Sequence, residues 1–197
     1  MSEAFPLEGA RTLYGATKLA SELLLQEYAE MHGLRSVITR CGVITGPWQM
    51  GKVDQGVFAL WMAAHHFQRS LSYIGWGGSG KQVRDLIFAD DLCELLDILL
   101  ERMEELSGAT FNVGGGADCS LSLKETTALC RRITGQTVAI GSDPAERPGD
   151  VRLYVTDNAR VTQRTGWRPK HSPEQALTAI HEWIVEHEAL LRPLWAN

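Results

Sequence analysis

Several features are scarce or missing in this sequence, and each shortage removes a class of function. No apolar run approaches the roughly 20 residues that a helix needs to cross a bilayer, so no membrane partner is expected. Residues 1–9 have no basic stretch leading into an apolar one, so no secretory leader is read there. Cysteine is sparse: Cys41, Cys93, Cys119 and Cys130 stand far apart and form no C-x-x-C pair. A zinc site or a disulfide framework is therefore not expected, and a reducing, cytoplasmic setting is. The six histidines include no H-E-x-x-H, and His65 and His66, being adjacent, point to different sides of a helix, so no metal site is expected. A basic surplus is also missing. Nineteen Lys and Arg against 24 Asp and Glu give a net charge of −5, which argues against nucleic acid as the main partner. Apolar content is not short: 44% hydrophobic residues over 197 positions suffice for one substantial folded domain.

Two glycine-rich stretches approach nucleotide-binding signatures and fall short. Gly75-Trp76-Gly77-Gly78-Ser79-Gly80-Lys81 matches the start of a phosphate loop, but Gln82 stands where a metal-binding Ser or Thr is needed. A phosphate loop must also open a helix, whereas residues 83–88 alternate like a strand. In Val113-Gly114-Gly115-Gly116 the third fingerprint glycine would fall on Cys119, and no acidic residue follows at the right distance. A tight strand-to-helix turn is expected there instead.

What is present is an alternation of helical and strand patterns without internal repeats, hence an α/β fold. Residues 13–31 predict a long helix with Leu19, Leu23, Leu24 and Tyr28 on one face, ended by His32-Gly33. Strands are expected at 36–40, 72–74, 83–88 and 110–113, a loop at 41–56, and an apolar helix at 57–67. Three N-terminal caps are read: Asp91 with Glu94 for a helix running to 106, Ser122 with Glu125 for one that Gly135 stops, and Ser172-Pro173-Glu174-Gln175. The last helix directs Ala176, Leu177, Ile180, Trp183 and Ile184 to a core.

Tyr14-Gly15-Ala16-Thr17-Lys18 lies at the start of the first helix, and a spacing of four sets the phenol and the ammonium on one face. A cation near a phenol favours the phenolate, a base suited to taking a proton from an alcohol. On its own such a pair is more commonly a solvated helix face. Its surroundings carry more information. The stretch from Tyr14 through Lys18 to Ser21-Glu22 resembles the active-site helix of extended short-chain dehydrogenases/reductases, the family of NAD-dependent nucleotide-sugar epimerases and dehydratases. Further segments follow in that family's order: Arg40-Cys41-Gly42-Val43-Ile44-Thr45-Gly46-Pro47, then Gly80 to Arg84-Asp85 with Asp90-Asp91, then Phe111-Asn112-Val113-Gly114. The series closes with Arg147-Pro148-Gly149-Asp150, Tyr154, Asp157 and Gly166-Trp167-Arg168-Pro169. Within the family, Gln49 to Phe58, with its Asp54-Gln55-Gly56 element, looks most similar to the CDP-tyvelose 2-epimerase branch.

The resemblance implies roles residue by residue. Tyr14 would be the acid/base, and Lys18 its electrostatic partner and a contact to the cofactor ribose. Backbone at Cys41 and Gly42 would approach the nicotinamide of NAD. Arg84 and Arg147 would converge on the substrate diphosphate, which guanidinium forks suit. Asp54, Gln55 and Tyr154 would belong to the substrate site, Tyr154 near the nucleotide. The plainer alternatives are an Arg84–Asp85 ion pair, a charged turn at 147–150 and a helix cap at Asp157. The implied fold is the C-terminal part of a Rossmann-type extended short-chain dehydrogenase. Residues 1–56 would be a remnant of the dinucleotide domain, and 57–197 mainly the small mixed α/β substrate-binding subdomain, with 84–116 returning to the sheet. The family's glycine fingerprint and catalytic Ser or Thr precede the tyrosine, and only thirteen residues do so here. These residues by themselves are thus expected neither to hold NAD nor to turn over. The partners implied are a nucleotide-diphosphate sugar and further copies of the chain, because the family's tyrosine helix pairs between subunits. A dehydratase or reductase fragment and a non-catalytic binding module stay open beside the epimerase.

Overall fold

The computed structural model describes residues 1–8, 12–53, 55–145 and 149–195. Helix α1 (Leu13–His32) begins where Thr12 accepts the Gly15 amide and ends where Gly33 takes the left-handed conformation, φ 65°. Strand β1 (Ile38–Cys41) lies parallel to β5 (Thr110–Val113). Strand β2 (Val43–Thr45) lies parallel to the end of β4 (Val83–Phe88), whose beginning pairs with antiparallel β6 (Ser120–Ser122) and parallel β8 (Leu153–Tyr154). A separate parallel pair joins β3 (Leu71–Ile74) to β7 (Ile140–Asp143). Helices α2 (Val57–His66), α3 (Ala89–Glu101), α4 (Met103–Leu106), α5 (Leu123–Thr134), α6 (Ala159–Thr165), α7 (Pro173–Glu186) and α8 (Glu188–Leu191) complete the fold.

Strand β4 divides two cores, as its period of two dictates. Leu86 and Phe88 enter the first core with Phe58, Met62, Leu177 and Ile180. Ile87, between them, enters the second with Leu95, Leu99, Phe111 and Trp167. A strand buried on both faces reads as a continuous apolar run, as Leu86-Ile87-Phe88 does.

The reciprocal caps at Ser122–Glu125 and Ser172–Gln175 form as expected, and Gly135 ends α5 at φ 68°. Asp91 differs. Helix α3 opens two residues earlier, at Ala89, so Asp91 lies inside its first turn. Its carboxylate, 1% exposed, turns away from the helix end and accepts the Lys170 amide (3.2 Å), the His171 amide (3.1 Å) and His171 Nδ1 (2.8 Å). The helix predicted to reach residue 106 breaks at Arg102, φ −108°. The loop expected over 41–56 contains β2, held by its parallel ladder to β4. The apolar face of α1 is not covered: no α1 residue is buried, and Leu23, Leu24, Tyr28 and Met31 are all more than half exposed.

Candidate active site

Helix α1 is tied to the sheet by Glu22 and Arg40, whose paired contacts measure 2.9 Å (Nε to Oε1) and 2.6 Å (Nη2 to Oε2), both side chains largely covered. The carboxylate raises the Arg40 pKa, with burial opposing it. This fork fixes the rotation of α1 and so the direction of its first turns. There Lys18 Nζ sits 5.5 Å from the Tyr14 ring centroid, and both residues are exposed. The expected juxtaposition of phenol and ammonium is present.

Cys41 ends β1, and Gly42 donates its amide to Val113 O at 2.8 Å. Behind Gly42 lies a buried polar knot. A Cβ there would stand 3.1 Å from Thr156 Oγ1 and 3.3 Å from Asp85 Oδ1, and at Gly114 one would fall 2.2 Å from that hydroxyl. Asp85 is fully buried, and its Oδ2 accepts the Gly116 amide at 3.0 Å. Among the described residues, Asp85 Oδ1 has no hydrogen-bond partner. Asn158 closes the knot from below, accepting the Gly114 amide and donating to the Gly114 carbonyl. Tyr154 is half-buried nearby. Burial raises its phenol pKa, the Thr156 hydroxyl opposes this, and Asp85, Cys41 and Arg40 lie within electrostatic range. Tyr154 therefore lies at the start of β4, paired with Arg84, and near the Cys41 end of β1. The amino-terminal segment joins this region: Glu3 accepts the Asn112 amide at 2.7 Å, and Met1 O accepts the Asp157 amide.

Arg84 precedes Asp85 on β4, so its side chain leaves by the opposite face. It does not pair with Asp85. Its Nη2 donates to Asp150 Oδ1 at 2.5 Å, and Nη1 donates to Val83 O at 2.7 Å. Trp76 Nε1 donates to Asp150 Oδ2 at 3.2 Å. Gly149 connects this group to the first helix, because a Cβ on it would stand 2.7 Å from Thr12 Cγ2, at the cap of α1. The start of the Tyr14 helix and the Arg84–Asp150 pair thus adjoin. Gln55 does not join them; it is exposed and closes a small turn with Lys52. Asp54 and Arg147 lie outside the described residues. Neither of two clefts, of about 330 and 580 Å³, is lined by a predicted site residue, though Gly116, Thr156 and Asn158 of the knot line the larger one. Asp157, expected as a helix cap, instead stands one residue before the cap of α6, Asn158, and accepts the Ala159 amide at 2.9 Å.

The two glycine-rich stretches are structural. Gly114–Gly116 leads into a 3-10 turn, and a Cβ at Gly115 would meet Leu86 O at 1.9 Å, so glycine is needed there for close strand approach. The loop over 75–81 feeds β4, a strand. Asp85, Thr156, Asn158, Trp76 and Asp150 were not assigned roles from sequence. Only Asp85 and Asp150, each inside a motif segment, carried any signal.

The sequence model of the NAD dependent epimerase/dehydratase family matches residues 1–114. The CDP-paratose 2-epimerase of Salmonella typhi is 30% identical over 173 residues, covering 86% of this chain and 51% of that protein. A dTDP-glucose 4,6-dehydratase of Xanthomonas campestris is 27% identical over 183 residues, 89% of this chain and 50% of the other. Among solved structures, the UDP-glucose 4-epimerase of Thermotoga maritima with UDP-glucose superposes with TM-score 0.77 at 26% identity, covering 89% of this chain and 54% of that one. The chain spans about half the length of the curated relatives it matches.

Proposed function

Because the chain belongs to the NAD dependent epimerase/dehydratase family, we propose that it supplies the acid/base helix and the substrate half of a nucleotide-sugar epimerase of the CDP-tyvelose 2-epimerase kind. The observation that carries the reading is the meeting of the α1 start with the Arg84–Asp150 pair, through Thr12 and Gly149. A nucleotide sugar needs both: a base at the reacting hydroxyl and a cation at the diphosphate, a few ångströms apart along one ligand.

In this reading Tyr14 takes the proton of the sugar hydroxyl, and Lys18 provides the counter-charge. Arg84 holds the diphosphate and Tyr154 faces the rest of the substrate, while Arg147, Asp54 and Gln55 enter this reading through the sequence resemblance alone. Residues here suit the nicotinamide end of NAD: an exposed Tyr14–Lys18 pair, and a Gly42 backbone backed by Asp85 and Thr156. A bound NAD would supply the hydride chemistry at the sugar carbon, with Tyr14 and Lys18 moving the hydroxyl proton and the Gly42 backbone beside the nicotinamide. The adenosine-diphosphate end finds no counterpart among the described residues, whose glycine-rich turns serve close packing. These 197 residues alone are therefore expected to carry no nicotinamide and no turnover. Residues 1–56 form the dinucleotide-domain part and 57–197 mainly the substrate part, with 84–116 returning to the sheet. The uncovered α1 face fits association with a second copy, in the cytoplasm. The dehydratase relatives, at nearly equal identity and coverage, keep a nucleotide-sugar dehydratase as the second reading.

Calorimetry with CDP-, UDP- and dTDP-glucose tests the substrate assignment. Saturable heat with at least one is expected; none with any of the three contradicts it. Nicotinamide in the purified chain, detected by absorbance and mass spectrometry, would contradict the cofactor statement. Light scattering is expected to exceed the mass of one chain at tens of micromolar.

A further inference from the structure

We propose that Trp76 is a positioning residue for the anion-binding guanidinium of Arg84 and acts on it through Asp150. This rests on the assignment of Arg84 to the substrate diphosphate. Four consecutive residues, Gly75, Trp76, Gly77 and Gly78, have φ of 82°, 50°, 71° and 62°. Glycine takes such values freely, but a bulky aromatic does not. A strained conformation persists only where its surroundings over-determine it, and such sites cluster where function needs pre-organisation.

The surroundings here do so. The Gly75 amide donates to Asp143 O (2.8 Å), Ser79 Oγ to Trp76 O (3.1 Å), Ser142 Oγ to Gly78 O (3.0 Å) and the Lys124 amide to Gly80 O (3.0 Å). A Cβ at Gly78 would lie 2.0 Å from Ser142 Oγ, and one at Gly80 would lie 2.8 Å from the Tyr73 ring. The loop is thus clamped to β7, α5 and β3. What the strained residue delivers is one indole N–H to Asp150 Oδ2, while Oδ1 takes Arg84 and the Val151 amide. A carboxylate fixed at both oxygens holds the guanidinium in one orientation, leaving its remaining N–H groups for an anion. With one oxygen released, Asp150 and Arg84 could rotate together, and the ordering would fall on the ligand.

The test is a double-mutant cycle read by calorimetry with UDP- or CDP-glucose, using Trp76→Phe, which keeps the ring and deletes the N–H, and Asp150→Ala. Trp76→Phe alone is expected to weaken binding about fivefold, the scale of one average hydrogen bond, with a thermal midpoint lowered by at most a few degrees. In the Asp150→Ala background it should change nothing. An affinity within about twofold (roughly the resolution of such a cycle) for Trp76→Phe, or independent effects of the two changes, overturns the proposal. The indole N–H resonance of Trp76, identified by its absence in Trp76→Phe, gives a readout that needs no ligand. It should move upfield in Asp150→Ala, and a fixed position overturns the proposal. If the unaltered chain binds no nucleotide sugar while the resonance moves, it is the substrate assignment that fails.

Discussion

Helix α1 carries the expected acid/base pair yet buries none of its 20 residues, so its attachment depends heavily on one ion pair. Removing Glu22 by Glu22→Ala takes three carboxylate contacts from Arg40, whose side chain is 25% exposed, against 18% for Glu22. That lies between exposed pairs, worth at most about 1 kcal/mol, and broken buried pairs, which cost about 3–5 kcal/mol. A cost of about 2 kcal/mol is expected. An isolated helix of this length is marginal in water, so the loss should appear first as local opening of α1. By the factor of ten per 1.4 kcal/mol, amide hydrogens around Leu19 and Leu25 should exchange about thirtyfold faster, with little change in β4. Glu174→Ala, which breaks the well-exposed pair with Arg132, serves as the control and should shift stability by less than about 0.5 kcal/mol. The measurement is hydrogen exchange at a concentration where the chain is monomeric. Exchange in α1 within about threefold of the unaltered chain, a change below about 0.7 kcal/mol, would refute the reasoning. So would equal acceleration in α1 and β4.

Asp91→Ala should cost about 3 kcal/mol in urea denaturation, because it strands the Lys170 and His171 amides that a buried carboxylate now accepts; a cost below about 1 kcal/mol would show that water replaces it. Gly114→Ala should cost roughly 1–3 kcal/mol by forcing Thr156 and Asp85 out of the buried knot, and an unchanged denaturation midpoint would mean that the knot is loose. The pKa values of His65, His66 and His181 are lowered chiefly by burial. Folded pKa values below the unfolded 6.5 mean that this stability is present above pH 6.5 and is lost as pH falls through the folded values. The slope is up to about 1.4 kcal/mol per pH unit for each histidine. Urea midpoints should fall between pH 7.5 and 5.5, and a flat profile would contradict this.

What could be read in the sequence was local. Ser122–Glu125 and Ser172–Gln175 close within three residues, so their spacing states their bonds. Tyr14 and Lys18 share a helix face for the same reason. Asp91 looked like another cap because a carboxylate before an apolar run is the same signal, but its partners lie 79 and 80 positions away. Three-residue β2 was hidden in a Gly- and Pro-rich stretch, since its strand character comes from the ladder to β4. The stripe on α1 was legible as apolar, but periodicity does not say what covers it. At the site, motif order pointed to Arg84 and Tyr154. Nothing local pointed to Thr156 or Trp76, and the motif that contains Asp150 did not mark it as the carboxylate that holds Arg84, because those contacts form only once β4, β8 and the glycine loop have packed.

The most direct test of the central claim is a titration of nucleotide sugar into the isotopically labelled chain, mapping which resonances move. Binding at the proposed site should perturb the Arg84 guanidinium, Tyr154 and the Gly42 amide together, and Arg84→Ala should abolish all three. No perturbation at millimolar ligand, beyond the weak end of small-ligand affinity at about 1 mM, would contradict the claim. So would shifts confined to Ala117, Asp118 and Arg168 in the larger cleft, with none at Arg84, Tyr154 or Gly42.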